Sequence, residues 1–519
     1  MQRAWKFATL LVLPGALLAQ STYGTLLGTV KDATGAVVPG ASVVVTEVAT
    51  NISKSGAANE RGDFEIPNLL PGTYEIAVSA GGFKRFVRRG VGLEPRAEVR
   101  VDATLEVGTT ETTVEVLAAA PVITTETATV ADVEKNQELS QLPINFRGRS
   151  TSPLNAITTL PGVQVDSGGP SFGISIAGTN PSQNEFSVDG FSVSSVRNNG
   201  PSFEMFPSTE QIAEIKITSE LAPAEYGQVG DISFVGKGGS NQFHGSLFEY
   251  FQNDALDAIP AFANGKPKKR DNTFGGSVGG PVLIPKIYNG KNRTFFFFDW
   301  EGNRQRSAAP VTNNVPSSAM LGGDFSGLCG SYSSAGVCTD SSGKQLVNPL
   351  TGSPFANNKI PSSLINPVSQ KVLSTFYPAA NLPNASPLDT SNNYRVNDPQ
   401  PITTNLYDIR VDQTLTAKQS LFVRWSWKRL TSVSPKNLGI PQDTILDPKS
   451  IVVSHNYTIQ PRLLNEFRFG FNTQTTDNNY PRFPDGGKLI GALGLQTTWP
   501  FPQRLRLTRL RVRRSIGPH

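Results

Sequence analysis

Three histidines and two cysteines in 519 residues leave little material for metal or nucleophilic chemistry. His244, His455 and His519 stand far apart, and none lies at metal-ligand spacing with another ligand. A hydrolase would need a nucleophile beside a histidine and an acid, so no catalytic residue, cofactor or metal site is expected. Charge is also scarce, at 17% of residues. The formal net charge of +5 comes from six arginines near the end, Arg504, Arg506, Arg509, Arg511, Arg513 and Arg514; setting them aside takes 47 basic residues to 41, against 42 acidic ones. The body is thus neutral and offers nucleic acid no electrostatic footprint. Beyond the N-terminus no run approaches the ~20 apolar residues of a transmembrane helix, so any membrane insertion must use strands.

What the chain has in abundance is turn chemistry: 48 glycines and 38 prolines, with many Ser, Thr and Asn, which favour short strands. The length suits about three domains, because single cores seldom exceed ~250–300 residues. Arg3 and Lys6 flank an apolar run from Phe7 to Leu18, followed by Ala19 and Gln20. That is the pattern of a secretory signal peptide over residues 1–20, cleaved near Ala19 or Gln20. An exported chain leaves the reducing cytosol, so Cys329 and Cys338, nine residues apart, are expected to form a disulfide that clips a surface loop.

From 22 to 105, Val43 and Val45, Phe64 and Ile66, and Tyr74, Ile76 and Val78 recur at every second residue, the period of half-buried strands. Turns punctuate them at residues 32–35, at Pro39-Gly40, at Arg61-Gly62-Asp63 and at Pro71-Gly72. A small antiparallel sandwich is predicted. The pattern from Gly28 to Ala41, with Gly62, Phe64, Leu69, Pro71, Gly72, Tyr74 and Gly82-Phe83 behind it, resembles a carboxypeptidase regulatory-like domain. Such domains are similar to transthyretin and are grouped with carbohydrate-binding-like folds, but the resemblance promises neither peptidase activity nor sugar binding. The Arg61-Gly62-Asp63 triplet fills a turn, and three residues are too few to argue adhesion.

Residues 106–150 are rich in Thr, Val and Ala, with no glycine between Gly108 and Gly148, and read as an extended, exposed connector. Within it Glu111, Thr112, Thr113, Val114, Glu115 and Val116 resemble a TonB box, which a periplasmic energy-coupling protein captures by adding a strand. An ordinary linker or strand end is the alternative.

Residues 151–240 resemble the plug of TonB-dependent receptors. The carriers are LNAITTLPGVQV, FGISIAG, NEFSVDGFSV, STEQIAEIKITSE and APAEYGQVGDISFVGKGGSN, in that order. Val188-Asp189-Gly190 matches a strand ending in a tight turn, and Ile212, Ile215 and Ile217 around Glu214 match a helix-to-strand passage before Tyr226-Gly227. Two departures stand out: Ala177-Gly178 replaces the usual Arg-Gly, and Gly230-Asp231-Ile232-Ser233-Phe234 replaces Gly-Gly-Val-Ile-Asn.

From 241 to 495 about seven aromatic, alternating segments are separated by polar loops. In one, Tyr407, Ile409 and Val411 oppose Asp408, Arg410 and Asp412; in the next, Leu421, Val423, Trp425 and Trp427 oppose Arg424, Ser426 and Lys428. In the last, Phe467, Phe469 and Phe471 oppose Glu466, Arg468 and Gly470. Apolar-out, polar-in alternation is what a transmembrane barrel strand requires. TAKQ and PRLL fit periplasmic turns, while 306–403 fits a long outer loop stapled by Cys329 and Cys338.

The whole is similar to TonB-dependent receptors of the Oar-like type, which join a regulatory-like sandwich, an α+β plug and a large outer-membrane barrel. Plugged transporters of this kind have about 22 strands, so an incomplete barrel, a truncated chain and an aberrant basic tail over 496–519 are expected. Arginine facing lipid costs ~2–4 kcal/mol at mid-depth, so the tail is not expected to form a barrel strand. The resemblance implies an exported outer-membrane protein that contacts lipid and a TonB-like protein. It implies energy-coupled uptake of a small ligand such as chelated iron, a saccharide or a peptide. A surface carbohydrate-binding or adhesion protein is the alternative, which several tandem sandwiches would favour; one is present.

Overall fold

The computed structural model describes residues 22–108, 113–117, 130–141, 153–157, 160–166, 173–194, 207–220, 230–259, 266, 268–308, 311–384, 386–436, 440–460, 463–481, 491–493 and 512–515. Residues 1–20, expected to be a signal peptide, and Glu111, Thr112 and Tyr226-Gly227 lie outside them.

The first unit contains β1 (Gly24–Asp32), β2 (Ser42–Glu47), β3 (Ser53–Ala57), β4 (Asp63–Leu69), β5 (Gly72–Ser79), β6 (Arg85–Leu93), β7 (Glu98–Arg100), β8 (Ala103–Leu105) and β9 (Thr113–Leu117). One sheet has the order β4-β1-β7, with β8 also on β1; the other runs β3-β2-β5-β6-β9. Val43 faces Val78 and Val45 faces Ile76 across β2 and β5. Those four, with Phe64, Ile66 and Tyr74, are buried in a single core shared by both sheets. The alternation read from the sequence is therefore the inward face of a sandwich. At the Arg61 turn, Gly62 holds φ 77, and Asp63 accepts from Thr29 Oγ1 at 2.9 Å while lying 3.7 Å from Arg61, so its carboxylate is engaged within the sandwich.

The second unit holds β10 (Val130–Lys135), α1 (Asn136–Gln141), α2 (Leu154–Ile157), β11 (Val163–Asp166), β12 (Gly173–Ile176), β13 (Asn184–Val188), β14 (Phe191–Ser192), β15 (Ile212–Glu220) and β16 (Gly230–Gly236). Its main sheet has the order β10-β15-β16-β13-β14. Ile212, Ile215, Ile217, Ile232, Phe186 and Phe234 build its core. Two boundaries differ from the expectation of an exposed connector over 106–150. β9 pairs with β6 of the sandwich, and β10 belongs to the plug sheet. Backbone donors and acceptors gain most when paired, so β-branched segments lying near open sheet edges are taken up by them.

The third unit is one antiparallel sheet, with two small strand pairs attached. It comprises β17 (His244–Asn253), β18 (Lys268–Pro281), β19 (Leu283–Ile284), β20 (Tyr288–Asn289), β21 (Thr294–Ala308), β22 (Val311–Asn313), β23 (Tyr394–Val396), β24 (Pro399–Thr416), β25 (Gln419–Lys436), β26 (Ile440–Gln460), β27 (Leu463–Asn479) and β28 (Val512–Ser515). The large sheet runs β17-β18-β21-β24-β25-β26-β27-β28 and, among the described residues, is not closed. Its faces are inverted relative to a water-soluble sheet. Asp408 and Arg424 are buried, whereas Phe467 is 57% exposed and Phe469 is 45% exposed. The apolar face is the one a bilayer would cover.

One expectation about the tail is corrected. Val512–Ser515 does form a strand, paired with Thr473 to Thr476 of β27. That pairing lies past Phe471, along the polar stretch of β27 from Asn472 onward.

β24 and β25 are joined by a two-residue turn at Ala417-Lys418, while β21 and β24 are joined by a long excursion. The excursion packs on itself around buried Asn358 and Asn393, and contains α3 (Ser318–Leu321), α4 (Pro367–Phe376) and the Cys329–Cys338 disulfide, Cα–Cα 5.9 Å. The sandwich sits at the opposite, short-turn end, where Asn241 N donates to Ala49 O at 2.9 Å.

Candidate functional site at the plug and barrel wall

The hairpin between β13 and β14 turns through Asp189 (φ 48) and Gly190 (φ 73). Both residues are left-handed, the requirement of a tight two-residue turn that matches sheet twist. This places the Asp189 carboxylate at the tip of the plug sheet. Its neighbours come from two strands of the barrel wall. Arg410 Nη1 on β24 donates to Asp189 Oδ1 at 3.2 Å, and Arg424 Nη1 on β25 donates to Oδ2. Gly236 N adds a third donor at 2.9 Å.

Each arginine is itself held by a wall carboxylate. Arg424 grips Asp408 in a fork, Nε to Oδ1 at 3.0 Å and Nη2 to Oδ2 at 2.9 Å. Arg410 grips Asp412 through Nε at 2.9 Å and Nη2 at 2.8 Å, and stacks over the Phe422 ring at 4.6 Å. Planar guanidinium suits such paired contacts, where lysine would offer only a point charge. Burial alone would raise the Asp189 pKa; Arg424 and then Arg410 override it and hold the carboxyl down at about 2.

The close approach depends on glycine. A Cβ on Gly236 would sit 1.5 Å from Arg424 Nη1, and one on Gly470 would sit 2.2 Å from the Phe191 ring. Phe191 of the plug packs with Phe422 and Val452 of the wall. Around the charged centre, Gln211 Nε2 donates to Asp299 Oδ2 at 3.0 Å, Ser246 Oγ donates to Glu210 Oε2 at 3.1 Å, and Asn472 Nδ2 donates to Ser192 O at 3.0 Å. Among the described residues the plug is therefore joined to the wall by polar pairs that fix its position, with a small apolar contact. Desolvation offsets much of the attraction in buried ion pairs of this kind, whereas removing one partner leaves an uncompensated charge.

The segment singled out in the sequence lies elsewhere. Thr113–Leu117 runs parallel to β6, with Val114 opposite Phe86, Glu115 opposite Val87 and Val116 opposite Arg88. Cys329 and Cys338 are in the long excursion, at the other end of the sheet. Of the charged network, the inward positions Asp408, Arg410, Asp412 and Arg424 were legible from alternation. Asp189 was legible only as a turn residue, and nothing local in the sequence indicated that it meets two arginines more than 200 positions away. Among the described residues, no group of three or more His, Cys, Asp or Glu could hold a metal, and no helix is long and apolar enough to cross a membrane.

Residues 235–511 match the outer membrane beta barrel domain family, residues 135–230 the TonB-dependent receptor plug domain, and residues 25–106 the carboxypeptidase regulatory-like domain. A curated relative, the TonB-dependent transporter Oar of Myxococcus xanthus, is 28% identical over 297 residues, which is 54% of this chain and 27% of that protein. The chain thus spans about a quarter of that relative's length. Similar solved structures include the outer membrane transporter YddB from Escherichia coli, with 11% identity, 68% of this chain and 40% of that one covered, and TM-score 0.41. The siderophore receptor PirA from Pseudomonas aeruginosa shares 14% identity, with 68% and 41% covered and TM-score 0.35.

Proposed function

Since the chain belongs to the TonB-dependent receptors of the outer membrane, which are not enzymes, we propose that it serves energy-coupled uptake of a small ligand. Candidates are chelated iron, a saccharide or a peptide. The observation that carries this reading is the Asp189 centre, where a plug is seated on the polar face of a lipid-facing sheet by ionic and hydrogen-bonded contacts. Such contacts are strong while dry and weaken once water enters, so they suit a plug that is held and then moved. The long excursion with its Cys329–Cys338 clip would meet the ligand outside. A TonB-like periplasmic protein would add a strand to the 111–116 segment.

The test is binding of this chain to the purified periplasmic domain of a TonB-like protein. Val114→Pro removes a backbone donor and fixes φ, and so should reduce binding at least tenfold while sandwich core protection in hydrogen exchange stays unchanged. Undiminished binding by Val114→Pro would make the segment a plain strand and send the search for the coupling site elsewhere between Gly108 and Pro143.

A further inference from the structure

β6 ends at Leu93, and the turn that follows, residues 94–97, leads into β7 of the same sandwich while Pro95 and Arg96 on it touch the plug sheet. Arg96 there holds φ 57, a left-handed conformation that glycine or asparagine adopts more cheaply than arginine. Strain of this kind persists where the surroundings over-determine it. The surroundings are plain: the Arg96 guanidinium pairs with Asp231 on β16, the two side chains being 10% and 0% exposed. Beside it, Lys216 Nζ on β15 donates to Pro95 O at 2.6 Å. An arginine is thus kept in a costly backbone conformation where its side chain bridges two domains.

The sandwich holds the barrel wall differently. Asn456 Nδ2 donates to Tyr23 Oη, and Asn241 donates through its backbone to Ala49 O and through its side chain to Thr50 O. These are neutral hydrogen bonds, roughly half as strong as charge-assisted ones. The strand β9 lies between sandwich and plug in the chain and is hydrogen-bonded to β6, the strand that runs into the Arg96 turn.

We propose that the sandwich and the plug move as one body, latched by Arg96 on Asp231, so that a protein seizing the 113–117 strand draws both away from the barrel wall together. This rests on the coupling role given to that segment above. The sandwich then acts as a lever rather than as a passive appendage: load applied at β9 passes through β6 and the 94–97 turn into β15 and β16, besides following the chain into β10.

Distances between spin labels in the full chain test this. Labels go on exposed Val48 (sandwich), Ser182 (plug) and Lys418 (barrel turn), each changed to cysteine; Cys329 and Cys338 are bonded to each other and take no label. Arg96→Gly removes the latch while keeping the turn, because glycine adopts the same φ freely. It should at least double the width of the 48–182 distance distribution, and Arg96→Lys should restore part of the narrowness. An unchanged 48–182 distribution in Arg96→Gly overturns the latch. Loosening the plug with Asp189→Asn gives the second reading: the 48–418 and 182–418 distributions should widen together, and widening of 182–418 alone would sink the one-body proposal. Failure of the coupling role appears separately, as no binding of the TonB-like domain while all three distances behave as expected.

Discussion

At Asp189 a single carboxylate answers two guanidiniums from neighbouring wall strands. Replacing it with asparagine leaves those cations short of a partner in a buried place, which costs about 3–5 kcal/mol by the usual penalty for breaking a buried pair. The expected result for Asp189→Asn is faster hydrogen exchange in β13 and β14 with the sandwich core unaffected; unaltered exchange there would remove Asp189 from its holding role. The same residue sets an acid limit. Its folded pKa of about 2 lies below the ordinary 3.8, so its contribution is present above about pH 4 and fades as pH falls from there toward 2. Plug protection should drop across that window, and Asp189→Asn should flatten the drop. Gly236→Ala should loosen the plug as well, because its Cβ would displace Arg424, while Gly81→Ala, with nothing near its Cβ, should be neutral.

At the scale of elements, β15 carries a second pH response. Burial first, and Glu94 of the sandwich turn second, raise the Glu214 pKa from 4.5 to about 7, against the lowering influence of Lys135 on β10 and Lys216 on β15. A raised acid pKa favours the docked state at low pH. That contribution is complete below about pH 4.5 and is lost as pH rises through 7. Protection of the 94–97 turn should therefore weaken from pH 5 to pH 8, and Glu214→Gln should hold it level; a wild-type turn indifferent to pH would refute this assignment. The excursion between β21 and β24 makes its own prediction. Thiol labelling of the denatured, unreduced protein should find no free cysteine, and two free thiols would mean that Cys329 and Cys338 are unpaired in solution. The wall strands were legible as seven aromatic, alternating segments, and β17, β18, β21, β24, β25, β26 and β27 coincide with them. Their lengths were not. β26 has 21 residues, of which 440–450, with two prolines and no regular apolar alternation, precede the segment that the sequence displays.

Across the whole molecule, the order sandwich, plug and barrel sheet was readable from residue order alone, since each unit announces itself through a local period or a run of turn motifs. Val43 and Val45 declared an inward face because strand geometry alternates whatever the partner. Phe467, Phe469 and Phe471 declared a lipid face for the same reason, and the inversion of burial between these two sets was fixed by which polar residues alternate with them. The pairings between units were not readable. That β9 would settle on β6, that Arg96 would take a left-handed turn to reach Asp231, and that Asp189 would find Arg410 and Arg424 all depend on surfaces brought together over more than a hundred residues or on a sheet edge left open nearby. Local sequence determines period, turn and face, because these follow from backbone sterics within a few residues. Only the tertiary structure decides which charge meets which, because the energy of an ion pair depends on distance and burial, and neither exists until the domains are packed.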